Sequence, residues 1–428
     1  MLTVLLVIAF SFLTGLMFLH ASITLAWMLY TWRSPDAERG VGFQFLRRSP
    51  KTSFSLLVPA RHEESVLGET LYRIAASDYP DFEVLVIVGH DDDGTRRVAE
   101  ESADRHPGLI RVVVDDSWPK NKPKALNTAL FEARGDVVGV FDAEDEVHPW
   151  LLRAVDHQFR VSKAEVVQAG VQLVDFWSSW YSVRNVLEYF FWFKSRLHLH
   201  ARERFIPLGG NTVFIKTDWM WKVGGWDPES LTEDCDLGVR LSIAGARFSV
   251  AYDPEFLTRE ETPPTFRGWL RQRTRWNQGF LQVLRKGDWK DLPDSRRRIF
   301  AWYTLAMPFV QAAVGLLIPI AVITMLVGSF PIWLAMFTLL PAIPTVATMV
   351  VETVALGDLA RSMGRPARSR DYFRLILGSF AYQVALAVAA GRAVWREMVG
   401  EKSWEKTDHV GSHRRPVEEV DPKPARVG

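Results

Sequence analysis

The sequence alternates between long apolar runs at its two ends and a mixed, charged region in the middle. Residues 2–32 carry no Asp, Glu, Lys or Arg, and residues 300–351 form a second uncharged run that can hold two spans. About 20 apolar residues in helical form cross a bilayer core. The first run is longer than the apolar part of a signal peptide and lacks a basic start, so we predict a retained transmembrane helix over residues 1–32. The second run and a marginal run at 375–391 predict about three apolar segments within residues 291–395.

Basic residues follow these apolar runs. A basic linker occupies residues 33–51, a basic loop residues 361–370, and a polar basic tail residues 396–428. Positive charge favours the cytoplasmic side, which predicts a multi-pass protein of the cell (plasma) membrane with its middle region in the cytoplasm. Three full spans after the middle would place the tail outside, whereas its charge favours the inside. One apolar segment therefore does not cross fully, and the pattern leaves open which one.

In residues 52–290, short β-branched runs alternate with stretches of helical period. The predicted strands cover residues 53–58, 82–88, 109–114, 136–141 and 165–173. The predicted helices between them cover residues 64–76, 95–106 and 124–133. This alternation indicates βαβ units, and strands that are apolar throughout fit a largely parallel sheet buried on both faces. We therefore predict a Rossmann-like α/β domain, whose ligand lies beyond the carboxyl ends of the strands.

Acidic residues gather in three loops at this edge of the predicted sheet. These loops are residues 59–64, 89–94 and 142–146. Asp142 and Glu144 stand at i and i+2 of an extended turn, so that both carboxylates can point to one side. Such a pair can hold a divalent cation on a diphosphate, and an acidic residue after the second strand can bind a base or ribose. A solvated acidic loop without a ligand is the alternative.

Lys122 and Lys124 begin a predicted helix, where the helix dipole and the ammonium groups both favour an anion. The alternative is a pair of surface lysines. Gly209 and Gly210 precede Asn211 in a loop that would let the backbone approach a ligand closely, although an ordinary tight turn has the same composition.

Two further motifs lie in the second half of the region. Thr232-Glu233-Asp234 precedes an apolar helix over residues 235–244, so Thr232 is a candidate cap and Asp234 a candidate general base. Arg275 could bind phosphate with two hydrogen bonds, and the adjacent Trp276 offers a flat face to a sugar ring. An interfacial tryptophan beside arginines is the alternative for this last motif.

Overall composition excludes several functions. A net charge of +1 gives no electrostatic support for nucleic-acid binding. Cys235 is the single cysteine, so a disulfide within the chain is excluded and a cysteine zinc site is not expected. We expect Cys235 to be a small buried residue.

In this order, the motifs resemble those of processive-type, membrane-embedded family 2 glycosyltransferases, which include cellulose, chitin and hyaluronan synthases. The family pattern is an acid, then DxD, then TED, then QxxRW. It matches Asp91 or Asp92, residues 142–144, residues 232–234 and residues 272–276. The resemblance covers about residues 50–290 and implies a GT-A nucleotide-sugar-binding fold followed by a helical transmembrane region.

The resemblance also implies a role for each matching residue. Asp234 would be the catalytic base, and Asp142 and Glu144 would hold Mg²⁺ or Mn²⁺. The implied donor-binding residues are Pro59, Glu63, Asp91, Asp92, Lys122, Lys124, Asp142 and Arg275. The implied acceptor-binding residues are Gly210, Asn211, Glu233, Gln272 and Trp276. The sequence departs from the family pattern at Glu144, which replaces the second Asp of DxD, and in the Gly-His-Asp-Asp-Asp-Gly loop. A tail element formed by Trp404, Lys406, Thr407 and His409 resembles one in bacterial members.

The function implied is inverting transfer of a sugar from a nucleotide-sugar, with a UDP-sugar favoured, to a growing polysaccharide through β-linkages. A non-processive enzyme that glycosylates a lipid is the first alternative, and a nucleotide-sugar-binding transport subunit is the second. Membrane lipids are expected partners, because residues 176–200 and 280–298 are aromatic and basic enough to lie at the interface. A core helix packed on the sheet is the other interpretation of residues 176–200. Protein partners and the oligomeric state are not indicated.

Overall fold

The computed structural model describes residues 2–33, 42–43, 45, 48–328, 331–401, 403, 405, 411 and 414. Arg39 and Arg47 of the basic linker, and Trp404, Lys406, Thr407 and His409 of the tail element, lie outside the described residues.

The middle of the chain forms nine strands interleaved with helices. The strands are β1 (Phe54–Ala60), β2 (Phe82–Gly89), β3 (Ile110–Asp115), β4 (Val137–Val140), β5 (Val166–Ala169), β6 (Val171–Leu173), β7 (Val213–Lys216), β8 (Phe248–Ala251) and β9 (Thr258–Glu260). The first four agree with the predicted strands to within two residues, but the predicted strand at 165–173 is divided into β5 and β6, which belong to different sheets.

Helices flank the strands and then form the apolar ends. The first ten are α1 (Leu2–Arg33), α2 (Leu67–Ala75), α3 (Asp93–Arg105), α4 (Lys122–Leu130), α5 (Leu151–Ser162), α6 (Ser182–Phe191), α7 (Leu197–Arg202), α8 (Thr217–Val223), α9 (Glu233–Ile243) and α10 (Phe266–Lys286). They are followed by α11 (Ser295–Leu305), α12 (Met307–Val327), α13 (Ile332–Thr338), α14 (Ala342–Ser362) and α15 (Ser369–Met398). A π-helix, Trp192–Arg196, joins α6 to α7, and a 3₁₀ turn, Asp288–Asp291, follows α10.

Seven strands form one mixed sheet in the order β3-β2-β1-β4-β7-β5-β8. β1 pairs in parallel with β2 and with β4, as expected for βαβ units, with Leu56 opposite Val84 on one side and Gly139 on the other. β7 is antiparallel to β4 and to β5, which makes the sheet mixed. β6 and β9 form a separate parallel pair.

Both faces of the sheet are buried, as the apolar strands predicted. Successive strand residues point to opposite faces. Leu56 and Val58 therefore pack among α2, α3 and α5, while Leu57 packs with α4, α6 and α14. The sheet is consequently the middle layer between two helical layers, and the second layer joins it to the apolar helices.

Residues 176–202 lie in that second layer. Val186 and Phe190 of α6 are buried against the sheet. The opposite side of this segment meets the apolar helices: the Arg184 guanidinium forms two hydrogen bonds with the Glu352 carboxylate of α14, at 2.9 and 3.0 Å. This segment is therefore a core helix on one side and a contact with the apolar region on the other.

Four stretches of helix in the described part of the chain are long and apolar enough to cross a membrane: Val4–Arg33, Met307–Val327, Ile332–Ser362 and Ser369–Met398. Large apolar side chains along them, such as Phe12 and Phe380, are more than two-thirds exposed. The last stretch, α15, packs lengthwise on α10, with Tyr382 against Trp269 and Arg396 Nε donating to Gln278 at 2.9 Å.

The described tail residues lie against the α/β domain. Gln278 Nε2 donates to the Glu401 carbonyl at 2.6 Å, and Arg414 donates to the Val66 carbonyl at 2.9 Å. Both ends of the segment from α15 to Arg414 therefore remain beside the domain.

Candidate active site

A cleft of about 920 Å³ opens at the carboxyl ends of β1 and β4. β2 and β3 lie on one side of β1, and the later strands lie on the other, so the loops after β1 and β4 turn in opposite directions and leave a crevice. From there the cleft continues to α1, α12, α14 and α15. It lies at the sheet edge that the sequence pattern indicated.

Most predicted site residues line this cleft, although they come from six separate stretches of chain. The lining residues are Pro59, Glu63, Lys122, Asp142, Glu144, Gly210, Asn211, Glu233, Asp234, Gln272, Arg275 and Trp276. β7 runs antiparallel to β4, so Gly210 and Asn211, which precede it, arrive at the same edge as the acidic turn after β4.

The acidic turn after β4 is held from behind by Asp145. The Asp142 backbone N–H donates to the Asp145 carboxyl at 2.9 Å. Asn211 Nδ2 donates to the other Asp145 oxygen at 3.1 Å and also contacts the Glu260 carboxylate. Burial, with the negative charges of Glu260 and Asp142, raises the pKa of Asp145 well above its usual value. The polar contacts of Asp145 and Asn211 thus fix the turn that presents Asp142 and Glu144 to the cleft.

Lys122 places a positive charge between the acidic groups. It stands in the first turn of α4, which the Asn121 side chain caps. Its Nζ pairs with Asp142, donates to the Gly210 carbonyl at 2.9 Å and lies 4.0 Å from Glu233. Burial disfavours the ammonium, but the Asp142 and Glu233 carboxylates outweigh that effect and raise the pKa of Lys122. Lys122 therefore stays charged beside the acidic turn.

Asp234 stands in the first turn of α9. Its Oδ1 accepts a hydrogen bond from the Cys235 N–H at 2.7 Å, and Cys235 itself is buried, as predicted. Gly210 lies opposite, where an added β-carbon would be 3.2 Å from Asp234 Oδ2. Burial and then the charge of Glu233 raise the pKa of Asp234 to about 7. A carboxylate with this pKa that faces a cleft is suited to accept a proton near neutral pH.

α10 presents three predicted residues on one face, because positions i, i+3 and i+4 of a helix are neighbours. They are Gln272, Arg275 and Trp276. The Gln272 side chain is 8% exposed, and its Oε1 has no hydrogen-bond partner within the described structure. The Arg273 guanidinium lies 4.6 Å from the centre of the Trp276 ring and pairs with Glu188 at 2.6 Å, which fixes the orientation of the indole.

The contact between α10 and α9 depends on a glycine. A β-carbon at Gly279 would lie 2.3 Å from the Thr232 hydroxyl, so only glycine permits this approach. Thr232 occupies the N-cap position of α9, but its side chain makes no capping hydrogen bond, contrary to the expectation from sequence.

Three predicted donor-binding residues are not among those that line the cleft: Asp91, Asp92 and Lys124. Asp92 caps α3 through Thr95 and accepts the His62 N–H at 2.6 Å. Asp91 pairs with Arg61 at 3.1 Å, and Lys124 donates to backbone carbonyls of its own loop. Their donor-binding role stays a prediction.

Asp115 and Lys120 line the cleft but were missed in the sequence. Asp115 ends β3, where Ser117 donates two hydrogen bonds to its carboxylate, and Lys120 Nζ donates to its carbonyl at 2.6 Å. The rule that ligands bind after strand ends would have found Asp115, had it been applied to the third strand as well. Asp145 lies in the acidic loop 142–146 but was not singled out there, and Glu260 gave no signal, because the roles of both depend on contacts with a distant loop.

The cleft contains carboxylates suited to a divalent cation that binds together with a phosphate-containing substrate. The described residues contain no group of three or more His, Cys, Asp or Glu placed to hold a metal by themselves. Asp142 and Glu144 nevertheless both line the cleft, and Mg²⁺ commonly takes one or two carboxylates and completes its shell with substrate phosphates and water.

Comparison with known proteins identifies the class. The model of the family "Glycosyltransferase like family 2" matches residues 50–279. The chain therefore belongs to glycosyltransferase family 2, and its domain has the GT-A fold, as the motifs predicted.

Two curated relatives of this class are named for different products. The chain is 28% identical over 244 residues to a "Beta-monoglucosyldiacylglycerol synthase" of Synechocystis sp., covering 54% of this chain and 49% of that protein. It is 23% identical over 251 residues to a "Poly-beta-1,6-N-acetyl-D-glucosamine synthase" of Staphylococcus epidermidis, covering 58% of this chain and 59% of that protein. The chain thus spans about half the length of the curated relatives it matches.

Among solved structures, the fold is similar to that of the mannosyltransferase PcManGT from Pyrobaculum calidifontis in complex with GDP-Man and Mn²⁺. The TM-score is 0.54 at 17% identity, and the match covers 92% of this chain and 99% of that one. This likeness extends the agreement in fold beyond the α/β domain.

Proposed function

We propose that this protein transfers a sugar, with inversion, from a nucleotide-sugar to an acceptor held in the membrane, and that the acceptor is a lipid hydroxyl. One observation carries the proposal. A single cleft contains the acidic turn with Lys122 at one end, Asp234 in its wall, and side chains of the apolar helices α1, α12 and α14 at its other end.

The donor would bind between the loops after β1 and β4. Lys122 and Arg275 both line this part of the cleft and carry the positive charge that a diphosphate needs. Asp142 and Glu144 would hold Mg²⁺ or Mn²⁺, which would neutralise charge on the departing diphosphate. The motif resemblance favours a UDP-sugar.

The chemical step assigned to this chain's residues is proton removal. Asp234 would take the proton of the acceptor hydroxyl while that oxygen bonds to the anomeric carbon. The bond from this carbon to the diphosphate oxygen breaks, and the nucleoside diphosphate leaves from the opposite face, so an α-linked donor gives a β-linked product. Asp234 has the raised pKa that a base near neutral pH requires, and Arg275 would stabilise the charge on the leaving group.

The acceptor would enter from the membrane side. Gln272 Oε1, buried and without a partner in the described structure, is available to accept a hydrogen bond from an acceptor hydroxyl. The Synechocystis relative is named for a glycolipid product, which supports a lipid acceptor. A growing polysaccharide is the second candidate, because Gln311 and Gln383 give the cleft a polar lining where it reaches α12 and α15.

The contacts of α15 support one membrane arrangement. We propose that α1 crosses the membrane, that α12 and the α13–α14 pair form a hairpin across it, and that α15 lies along the interface. α15 touches the α/β domain at its start, where Trp177 Nε1 donates to Asp371 at 2.8 Å, and at its end through Arg396. A crossing helix would carry one end away from the domain. This arrangement places the basic tail with the domain in the cytoplasm, as its charge predicted.

The test is donor turnover by the purified full chain in nanodiscs. UDP- and GDP-sugars would be supplied with Mg²⁺ or Mn²⁺ and a diacylglycerol acceptor, and nucleoside diphosphate release would be compared with that of Asp234→Asn. We expect metal-dependent release with one donor, about 10²–10⁴-fold slower in the variant, and a single glycosylated lipid as product. A polymer product would favour the second candidate. Equal rates for the variant would remove Asp234 from its role, and absence of release with every donor and acceptor would contradict transfer.

A further inference from the structure

The membrane-side arm of the cleft contains a cation that the proposed transfer does not use. We define this arm by Thr24, Trp27, Arg196, Thr304 and Gln311, which come from α1, the π-helix, α11 and α12 and all line the cleft. The nucleotide end of the cleft is formed by other elements, the loops after β1, β3 and β4. The arm and the nucleotide end are therefore lined by different elements of the same cleft.

Arg196 lies in the arm in contact with two indole rings. Its guanidinium carbon is 4.2 Å from the centre of the Trp27 ring and 5.1 Å from that of Trp192. The Nε atom is buried without a hydrogen-bond partner, and no carboxylate of the described residues lies within ion-pair distance of Arg196. Burial lowers the pKa of Arg196 to about 10, so it remains charged at neutral pH. Two aromatic faces position this cation but do not neutralise it.

A second polar group in the arm also lacks a partner. Thr304 is fully buried, and its Oγ1 makes no hydrogen bond to the described part of the chain. Nearby, His20 is engaged with Tyr303 through Nδ1 and the phenol oxygen at 2.8 Å, so this neighbouring pair is satisfied. Buried polar groups in proteins are nearly always hydrogen-bonded, and buried charges are nearly always paired. A guanidinium without a carboxylate partner and a hydroxyl without a hydrogen-bond partner, both lining one cavity, can each donate a hydrogen bond to an oxyanion.

The depth of Arg196 indicates where that anion comes from. Trp27 precedes the basic end of α1, Arg33, by six residues, which is about 9 Å of helix rise. Tryptophan and the basic ends of spans occupy the zone of the lipid headgroups. On the same helix, Phe12 and Leu19 are exposed apolar side chains that would face lipid chains. Arg196 thus lies at the level where α1 passes from the hydrocarbon into the headgroup region.

We propose that the arm binds the phosphate of a membrane phospholipid, with Arg196 and Thr304 as its ligands and the acyl chains directed along α1. This site goes beyond the proposed transfer, because it requires neither donor nor turnover. A bound phospholipid would form the wall of the cleft on the membrane side, next to the path of the acceptor.

The test compares two lipids that differ only in the phosphate-containing headgroup. Full-length protein in detergent would be titrated with dioleoyl phosphatidylglycerol or with dioleoylglycerol, and bound lipid would be counted by native mass spectrometry. We expect phosphatidylglycerol to bind about tenfold or more tightly than dioleoylglycerol, because charge-assisted hydrogen bonds to phosphate account for a difference of this size. Arg196→Gln should abolish the preference, and Arg196→Lys should retain part of it. Arg267→Gln, which changes an exposed arginine, is the matched control and should bind as the unmodified protein does.

Two competitors separate the sources of phosphate. Neither millimolar inorganic phosphate nor UDP with Mg²⁺ should displace the phospholipid. Displacement by inorganic phosphate would overturn the lipid assignment, and displacement by UDP would show that Arg196 belongs to the donor site. If Arg196→Gln keeps the preference for phosphatidylglycerol over dioleoylglycerol, the proposal is overturned. It is also overturned if Arg196→Gln and the control Arg267→Gln both lose that preference. Donor turnover is measured separately, so a protein without transferase activity that keeps the preference upholds this site while contradicting the proposed function.

Discussion

Gly279 of α10 and Thr232, the residue before the acid pair of α9, are in contact at a distance that no side chain larger than hydrogen permits. A β-carbon at Gly279 would lie 2.3 Å from the Thr232 hydroxyl and 2.7 Å from its β-carbon. This contact holds the helix that carries Gln272, Arg275 and Trp276 against the one that carries Asp234. The close approach of the proposed base to the proposed ligand-binding face therefore requires a glycine at position 279.

Gly279→Ala should separate these two helices. We expect a loss of about 1–3 kcal/mol of stability from overpacking, and about a 10²-fold lower rate of sugar transfer, because displacement by about 1 Å is costly in an active site. Gly391→Ala is the control, since an added β-carbon there meets nothing within 4 Å. Thermal unfolding and nucleoside diphosphate release would be measured for both variants. Normal activity in Gly279→Ala would show that the contact does not position the site.

The rate of transfer should depend on the ionisation of Asp234. Its raised pKa of about 7 means that the carboxylate is lost as the pH falls through that value, so kcat/KM should decrease about tenfold per pH unit on the acid side. Glu233 contributes to this elevation by its negative charge. Glu233→Gln should therefore move the acid limb to lower pH, whereas Glu229→Gln, which changes an exposed residue, should leave it in place. If the acid side of the pH profile stays at the same pH in Glu233→Gln, the loss of activity there is not caused by protonation of Asp234.

Lys122 and Lys124 provide a matched pair two residues apart. Lys122→Ala removes the cation beside Asp142 and Glu233, and should cost about 1–3 kcal/mol of stability and weaken donor binding at least tenfold. Lys124 does not line the cleft, and Lys124→Ala loses hydrogen bonds to the carbonyls of Trp118 and Pro119; a change in donor affinity below threefold would contradict the donor-binding role predicted for it from sequence. Donor calorimetry would measure both. Equal losses would mean that Lys124 also binds the donor.

The Arg184–Glu352 pair should couple the α/β domain to the apolar helices. Removing one partner leaves a buried charge, so Glu352→Gln should lower the free energy of unfolding by about 3–5 kcal/mol. Replacing both residues by methionine should restore part of that loss, because no unpaired charge remains. Melting temperatures in one detergent would be compared for the single variants Arg184→Met and Glu352→Met and for the double variant. Strictly additive effects of the two single changes would contradict the coupling.

The fold was predictable where the signal was local. β1 to β4 and α2 to α4 were recognised from apolar runs and helical periods to within about three residues. The antiparallel β7 was not recognised, because four strand residues after a glycine loop resemble any short apolar run. β7 pairs with β4 and β5, and sequence periodicity does not indicate which strands will pair with each other.

Candidate site residues could be predicted from sequence where a short motif contains the reactive or charged groups itself. Asp142, Glu144, Asp234 and Arg275 were found by residue type and spacing, and all four line the cleft. Asp92 has the same residue type, yet its carboxylate caps α3 and binds the His62 backbone. The donor-binding role of Asp92 stays a prediction, whereas its role as a helix cap was not recognised from sequence.

By itself, the sequence determined the apolar ends, the α/β alternation, the motif order and so the family, because these depend on residue type and short-range spacing. Only the tertiary structure decided which side chains meet. It brought Gly279 against Thr232, Lys122 beside Asp142 and Glu233, and the unpaired Arg196 against two tryptophans. It also laid α15 along α10, although its length and hydropathy allow a membrane crossing. These outcomes depend on packing and on electrostatic pairing between distant segments, which the order of residues along the chain does not display.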